Sequence, residues 1–174
     1  MELIPSFSVD HTRIIPGIYE SRVDIVGEGA VTTFDVRLKT PNAEPAIAPA
    51  AMHTMEHVIA TYLRNHAEWK DQLIYWGPMG CLTGFYIIVK GRPAAADMYP
   101  ILLEAFQYMS EYEGAVPGAT PENCGNYLMH DLPMAKWEAK RYVEYLKNAD
   151  KRSIFAYPKA EKLTLKDGQE FFDS

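Results

Sequence analysis

Along residues 30–40, AVTTFDVRLKT, polar and apolar side chains alternate. Val31, Thr33, Asp35, Arg37 and Lys39 share one parity and Phe34, Val36 and Leu38 the other, the pattern of a half-buried strand. The stretch before it, to about residue 29, is extended and punctuated by the turn signals Pro16-Gly17, Gly27 and Gly29. A proline-rich loop, PNAEPAIAP, follows. From about Pro49 to Trp69 the period changes. Met52, Met55, Ile59, Tyr62 and Leu63 recur at steps of three and four, which predicts a helix. DQLIYWGPMGCLTGFYIIVKG then predicts two short strands around a Gly-Pro-Met-Gly-Cys turn. PAAADMYPILLEAFQYMSEYEG reads as a second helix that Pro100 kinks or divides. AVPGATPENCGNY is a loop. Asp131 has the chemistry of an N-cap, with Pro133 in the first turn of a third helix that reaches about Asn148. The charged tail from about Asp150 shows no usable period. Strands and helices neither alternate regularly nor segregate fully, so the expected fold is a single α+β domain, a mainly antiparallel sheet packed against helices.

Composition narrows the functional classes. A chain of 174 residues suits one domain and buries about two-thirds of its unfolded surface. Hydrophobic residues at 48% and charged residues at 23% exclude a disordered chain. A net charge of -6 and a pI near 5.4 exclude nucleic acid as the main partner, because phosphate binding needs a basic face. No apolar run approaches the roughly 20 residues of a membrane span. The N-terminus, MELIPSFSVDH, lacks the basic and apolar regions of a signal peptide, so a cytoplasmic location is expected. In that compartment Cys81 and Cys124 are reduced thiols rather than a disulfide.

The candidate chemistry begins with AMHTMEHVIA, residues 51–60. Each helical residue turns by about 100°, so His53 and His57 stand about 40° apart on one face and their imidazoles can converge on one ion. Glu56 lies on the neighbouring flank. This is H-x-x-E-H, the inverted form of the zincin helix, in which the glutamate serves as acid/base. An ordinary helix with two exposed histidines and a solvated glutamate has the same spacing. The apolar setting of Ala50, Ala51, Met52, Met55, Val58, Ile59 and Ala60 favours a buried helix whose polar trio needs partners, and a divalent cation would satisfy all three. A catalytic metal needs a third protein ligand. The remaining candidates are His11, His66, His130, Cys81 and Cys124. Cys124 sits in PENCGNY, a polar loop ahead of a helix. Cys81 sits in GPMGCLTG, where glycines imply a close backbone approach. Either cysteine could instead be a small packing residue.

Together, SFSVDHT, FDVRLKTPN, HTMEH, GPMGCLTGFY and NCGNYLMHDL, in this order and at these spacings, resemble the S-ribosylhomocysteine lyase (LuxS, autoinducer-2 synthesis) family over roughly residues 5 to 147. The resemblance implies one divalent metal held by His53, His57 and Cys124, similar to the labile Fe(II) of that family, which zinc or cobalt can replace. It implies Glu56 and Cys81 as the acid/base groups, and Ser6, His11 and Arg37 near the substrate's ribose. It also implies a homodimer with two sites at the interface, each built from both chains. Two departures stand out. Trp76-Gly77 replaces a small apolar residue and serine, and Leu82 follows Cys81 where a polar residue is usual; both bear on the pocket wall around homocysteine.

The activity so implied is cleavage of the thioether of S-ribosylhomocysteine to homocysteine and 4,5-dihydroxy-2,3-pentanedione, by two carbonyl migrations and a β-elimination. Cys81 would move C–H protons, with Arg37 or the metal favouring its thiolate. Glu56 would serve the sugar oxygens and the C4 proton. A metallopeptidase of the inverted H-x-x-E-H type is the competing enzyme, and a non-catalytic metal-binding or dimerisation module the competing non-enzyme.

Overall fold

In the computed structural model, residues 9–158 are described. β1 (Gly17–Val26) and β2 (Gly29–Arg37) form a hairpin, followed by α1 (Pro49–Asn65), the hairpin β3 (Leu73–Pro78) and β4 (Gly84–Lys90), and then α2 (Ala95–Glu111) and α3 (Leu132–Asn148). The four strands make one antiparallel sheet in the order β1-β2-β4-β3. The α+β expectation holds. No helix among the described residues is long and apolar enough to cross a membrane.

The period-two pattern sets which face meets the helices. Ile18, Phe34, Val36, Phe85, Ile87 and Val89 join Met52, Met55 and Ile59 of α1 and Leu102 and Phe106 of α2 in one core. Trp76 turns into that core and stacks on Phe85 at 4.5 Å, so this departure from the family pattern packs the interior. Tyr142 of α3 ties the third helix to the sheet edge, its hydroxyl donating to the Gly17 carbonyl at 2.8 Å.

The strand over 30–40 differs from expectation on its polar side, which is also covered. Asp35, Arg37 and Lys39 are 2–3% exposed. Each charge is compensated where it is buried. Lys39 meets Glu138 at 2.8 Å, and Asp35 meets Arg37. Glu44 adds a second carboxylate beside Lys39 and accepts from Arg141 at 2.9 Å.

Helix boundaries follow local chemistry. α1 stops at Asn65, short of Trp69, because the His66 ring accepts the backbone N–H groups of Glu68 and Trp69 and starts a separate turn. α2 runs through Pro100 undivided. Pro100 lies in its second turn, so the carbonyl its ring crowds belongs to the first turn, where the backbone can yield. At α3 the Asp131 carboxylate accepts from the Met134 N–H at 3.0 Å, the expected N-cap.

Candidate metal centre and thiol cavity

On α1 the residues at 53, 56, 57 and 60 are half-buried while their neighbours at 51, 52, 54, 55, 58 and 59 are buried. The polar trio therefore occupies one stripe that is open at its edge, not a buried helix face as its apolar neighbours suggested. Opposite that stripe lies the loop between α2 and α3. It brings Cys124 and His130 to the helix, and the ligand atoms of His53, His57, Cys124 and His130 all fall within 4.8 Å of one another. Of the five candidates for a third ligand, Cys124 and His130 reach the pair. His11 and Cys81 stand elsewhere, and His66 is used at the end of α1.

The loop does more than deliver a thiol. His53 Nδ1 is 2.9 Å from the Met129 carbonyl, and His57 Nδ1 is 2.7 Å from the Pro117 carbonyl. A carbonyl only accepts, so each Nδ1 carries a proton and each Nε2 is the ring nitrogen left for a ligand. Gly118 makes the second of these contacts possible. Its φ of +67° belongs to the left-handed region, and a Cβ there would stand 3.6 Å from the His57 ring. The Cys124 sulfur lies 3.4 Å from His53 Nε2 and accepts from the Asn126 N–H at 3.4 Å. Burial, then the neighbouring His53 and His57, hold His130 below the ordinary imidazole value, in its neutral, ligating form. Lone pairs and a sulfur gathered this closely repel one another unless a cation lies among them. The donor set fits a divalent ion of the Fe(II), Zn(II) or Co(II) kind. Glu56 is half-buried on the same stripe, and its carboxylate makes no hydrogen bond or ion pair among the described residues.

A second group gathers on the other face of the sheet, around a cavity of about 240 Å³ lined by His11, Asp35, Arg37, Cys81, Tyr86 and Tyr157 among others. Here the sheet register does the positioning. Tyr19, Asp35 and Tyr86 lie in one row across β1, β2 and β4. In the next row Arg37 pairs with Gly84. A Cβ at Gly84 would stand 2.3 Å from the Val36 carbonyl oxygen, so only glycine allows β4 this close. The Arg37 guanidinium grips Asp35 through Nε at 3.1 Å and Nη2 at 2.5 Å. Its Nη1 donates to Thr83 at 2.6 Å and reaches the Cys81 sulfur at 3.8 Å. Cys81 itself is exposed, on a turn where Leu82 takes a left-handed φ of 58°. Burial pushes the Asp35 carboxyl above its ordinary value, and Arg37 pulls it back. His11 is oriented by the Val9 carbonyl, 2.8 Å from its Nδ1. Neither Trp76, Gly77 nor Leu82 lines this cavity. Ser6 lies outside the described residues.

None of the four metal-facing residues lines the thiol cavity. Sequence reasoning also missed Tyr157. It stacks on Tyr19 at 4.7 Å and donates to Asp35 at 2.8 Å, roofing the cavity from a tail that carried no readable period.

The sequence itself supplies the remaining link. Residues 4–153 match the family described as S-Ribosylhomocysteinase (LuxS). This chain belongs to that family. It is 53% identical over 162 residues to the S-ribosylhomocysteine lyase of Phocaeicola vulgatus, covering 92% of this chain and all of the relative. The S-ribosylhomocysteine lyase of Porphyromonas gingivalis is 48% identical over 158 residues, 91% of this chain and 99% of its own length. That of Clostridium beijerinckii is 45% identical over 159 residues, again 91% and 99%. In LuxS terms, the matched span takes in both the metal-facing cluster and the thiol of the β3–β4 turn, and stops just short of Tyr157.

Proposed function

We propose that this chain is a metal-dependent carbon–sulfur lyase that cleaves S-ribosylhomocysteine to homocysteine and 4,5-dihydroxy-2,3-pentanedione. The observation that carries the reading is the His53/His57/Cys124 cluster on an H-x-x-E-H helix, in a LuxS-family chain that also holds a separate thiol beside a guanidinium. His53, His57 and Cys124 would hold the metal, which we take to be Fe(II), with zinc or cobalt able to substitute. When bound, that ion supplies Lewis acidity to the sugar oxygens where negative charge develops.

The rest is the work of side chains. The carbonyl migrates along the ribose from C1 to C2 to C3. Each shift moves a proton between neighbouring carbons and another between their oxygens. Cys81, exposed and next to Arg37, is the base for the carbon-bound protons. Glu56, unpaired and on the metal stripe, serves the oxygens. In the last step Glu56 takes the C4 proton, a C4=C5 double bond forms and homocysteine leaves C5 as a thiolate. The enol left behind tautomerises to the diketone. Ser6, His11 and Arg37 bind the ribose. Arg37 reaches Cys81 through Nη1, while Nε and Nη2 hold Asp35 and Nη1 also donates to Thr83.

We further propose that the enzyme works in the cytoplasm as a homodimer in which the thiol cavity of one copy faces the metal cluster of the other. The separation of the two groups within one chain supports this. Metal-loaded protein incubated with S-ribosylhomocysteine and a thiol reagent should release homocysteine, and a chelator should stop it. No release from loaded protein would sink the assignment. Cys81→Ala and Glu56→Gln should retain the metal and lose turnover. Mixed Cys81→Ala and His57→Ala subunits should regain activity that neither has alone. A mixture that stays inactive would argue against the shared site.

A further inference from the structure

Tyr157 has no part in the chemistry above and lies just beyond the residues that match the family. The segment that follows α3 fixes its position. The Ile154 carbonyl accepts the Ile18 N–H at 2.8 Å, and the Ile154 side chain is fully buried. The segment is thereby pinned to β1, and a few residues on the Tyr157 ring lies nearly parallel to Tyr19, 4.7 Å away. Tyr19 pairs with Asp35 across the hairpin, so a ring stacked on the first can reach the second. The Tyr157 hydroxyl donates to Asp35 Oδ2 at 2.8 Å. Burial, then the Asp35 charge, push this phenol far up, so it remains a donor across the working pH range.

That carboxylate is shared. Arg37 holds Asp35 Oδ2 through Nη2 and Oδ1 through Nε. On its other side Arg37 Nη1 donates to the Thr83 hydroxyl at 2.6 Å and lies 3.8 Å from the Cys81 sulfur. The Thr83 oxygen stands 3.0 Å from the same sulfur. This oxygen already accepts from Arg37, so its own proton is free for the sulfur, and a thiolate accepts it. The row from Tyr157 through Asp35, Arg37 and Thr83 is therefore satisfied throughout when Cys81 is ionised. Within the row, Asp35 and Cys81 compete for one guanidinium. A phenol donating to Asp35 takes up part of the carboxylate's charge and leaves more of Arg37's for the sulfur.

We infer that Tyr157 is a positioning residue for Cys81, favouring its thiolate by drawing the Asp35 charge away from Arg37. The inference rests on the reading above in which Cys81 is the base, and its first test needs no turnover. The charged and titratable groups around Cys81 in the cavity are Asp35 and Arg37 from β2, Tyr86 from β4, His11 from the chain ahead of β1, and Tyr157 itself. Only Tyr157 is altered in that test.

Zinc-loaded full-length protein would be treated with iodoacetamide over a range of pH, and the Cys81 peptide quantified by mass spectrometry so that Cys124 is scored apart. Tyr157→Phe keeps the stack on Tyr19 and loses the hydroxyl. It should move the alkylation midpoint of Cys81 up by about half a pH unit or more. A ring-fluorinated tyrosine at the same position, a stronger donor of similar shape, should move it down, and this keeps the test decisive if the phenylalanine variant folds poorly. With S-ribosylhomocysteine, Tyr157→Phe should lower kcat at neutral pH by about threefold or more, with KM less affected, and recover as pH rises. A midpoint unmoved in both variants would overturn the inference. So would faster alkylation of Tyr157→Ala at every pH with no change of midpoint, which would make the ring a cover only. Wild-type protein that releases no homocysteine would remove the lyase reading, while the alkylation profiles would still judge Tyr157.

Discussion

Replacing Arg37 by methionine removes a buried cation of similar reach and leaves Asp35 without its partner. Asp35 is 2% exposed and keeps one other polar contact among those described, the Tyr157 hydroxyl at 2.8 Å. Breaking a buried pair from one side costs about 3–5 kcal/mol, since the surviving charge stays desolvated. For a chain of 174 residues, at about 2–4 °C per kcal/mol, the melting temperature should fall by roughly 6–20 °C at pH 7. The pH dependence is the sharper test. Burial already raises the Asp35 carboxyl above its ordinary 3.8, and Arg37 is what opposes it. Without Arg37 the folded value moves further up while the unfolded value does not. The protonated folded state is then favoured, so the deficit is full above the folded value and shrinks as pH falls through it. Urea melts of Arg37→Met and wild type at fixed protein concentration, at pH 7 and pH 5, read this directly. The double variant Asp35→Asn/Arg37→Met should recover most of the loss at pH 7, because no buried charge remains. A loss under about 1 kcal/mol, a deficit equal at both pH values, or no recovery in the double variant would refute the reasoning.

Gly84→Ala drives a Cβ to 2.3 Å from the Val36 carbonyl oxygen, so β4 must lift off β2 beside Arg37; thermal melts should show a loss of about 1–3 kcal/mol. Glu44 is pushed up by burial, but the Thr40 N–H, Arg141 and Lys39 outweigh that and hold it below its ordinary 4.5. Its stabilisation is present above about pH 4.5 and lost as pH falls through the folded value. Glu44→Gln should therefore flatten the acid limb of the stability curve, and an acid limb unchanged from wild type would contradict this.

The parts of the fold and site that were legible in the sequence were those encoded locally. The H-x-x-E-H spacing needs only the geometry of one helix, and the Asp131 cap needs only its own first turn. The Gly-Cys turn between β3 and β4 was legible for the same reason. What was missed depends on chain segments far apart. Asp35, Arg37 and Lys39 alternate like a solvent-facing parity, and nothing local says that Glu44, Glu138 and Tyr157 arrive to cover them. His130 stands among five candidate ligands, and nothing local sets it apart from the others. Its pairing with Thr54 spans 76 positions. Tyr157 sits in a stretch without periodicity, where one aromatic gives no signal. The resemblance implied sites built from both chains, and within one chain Cys81 and His57 do stand on separate faces.

His53 and His57 of the candidate metal cluster take their orientation from the carbonyls of Met129 and Pro117, and a carbonyl is the same on every residue. Side-chain identity along this loop is therefore nearly free to drift, with Gly118, Cys124 and His130 as the exceptions. Its length is not free. Removing one residue between Pro117 and Met129 would pull a carbonyl off its ring and turn an Nε2 away from the cluster. A scan of this loop should find single substitutions tolerated at exposed positions such as Tyr127 and Leu128, and single deletions that abolish metal uptake while the core stays folded.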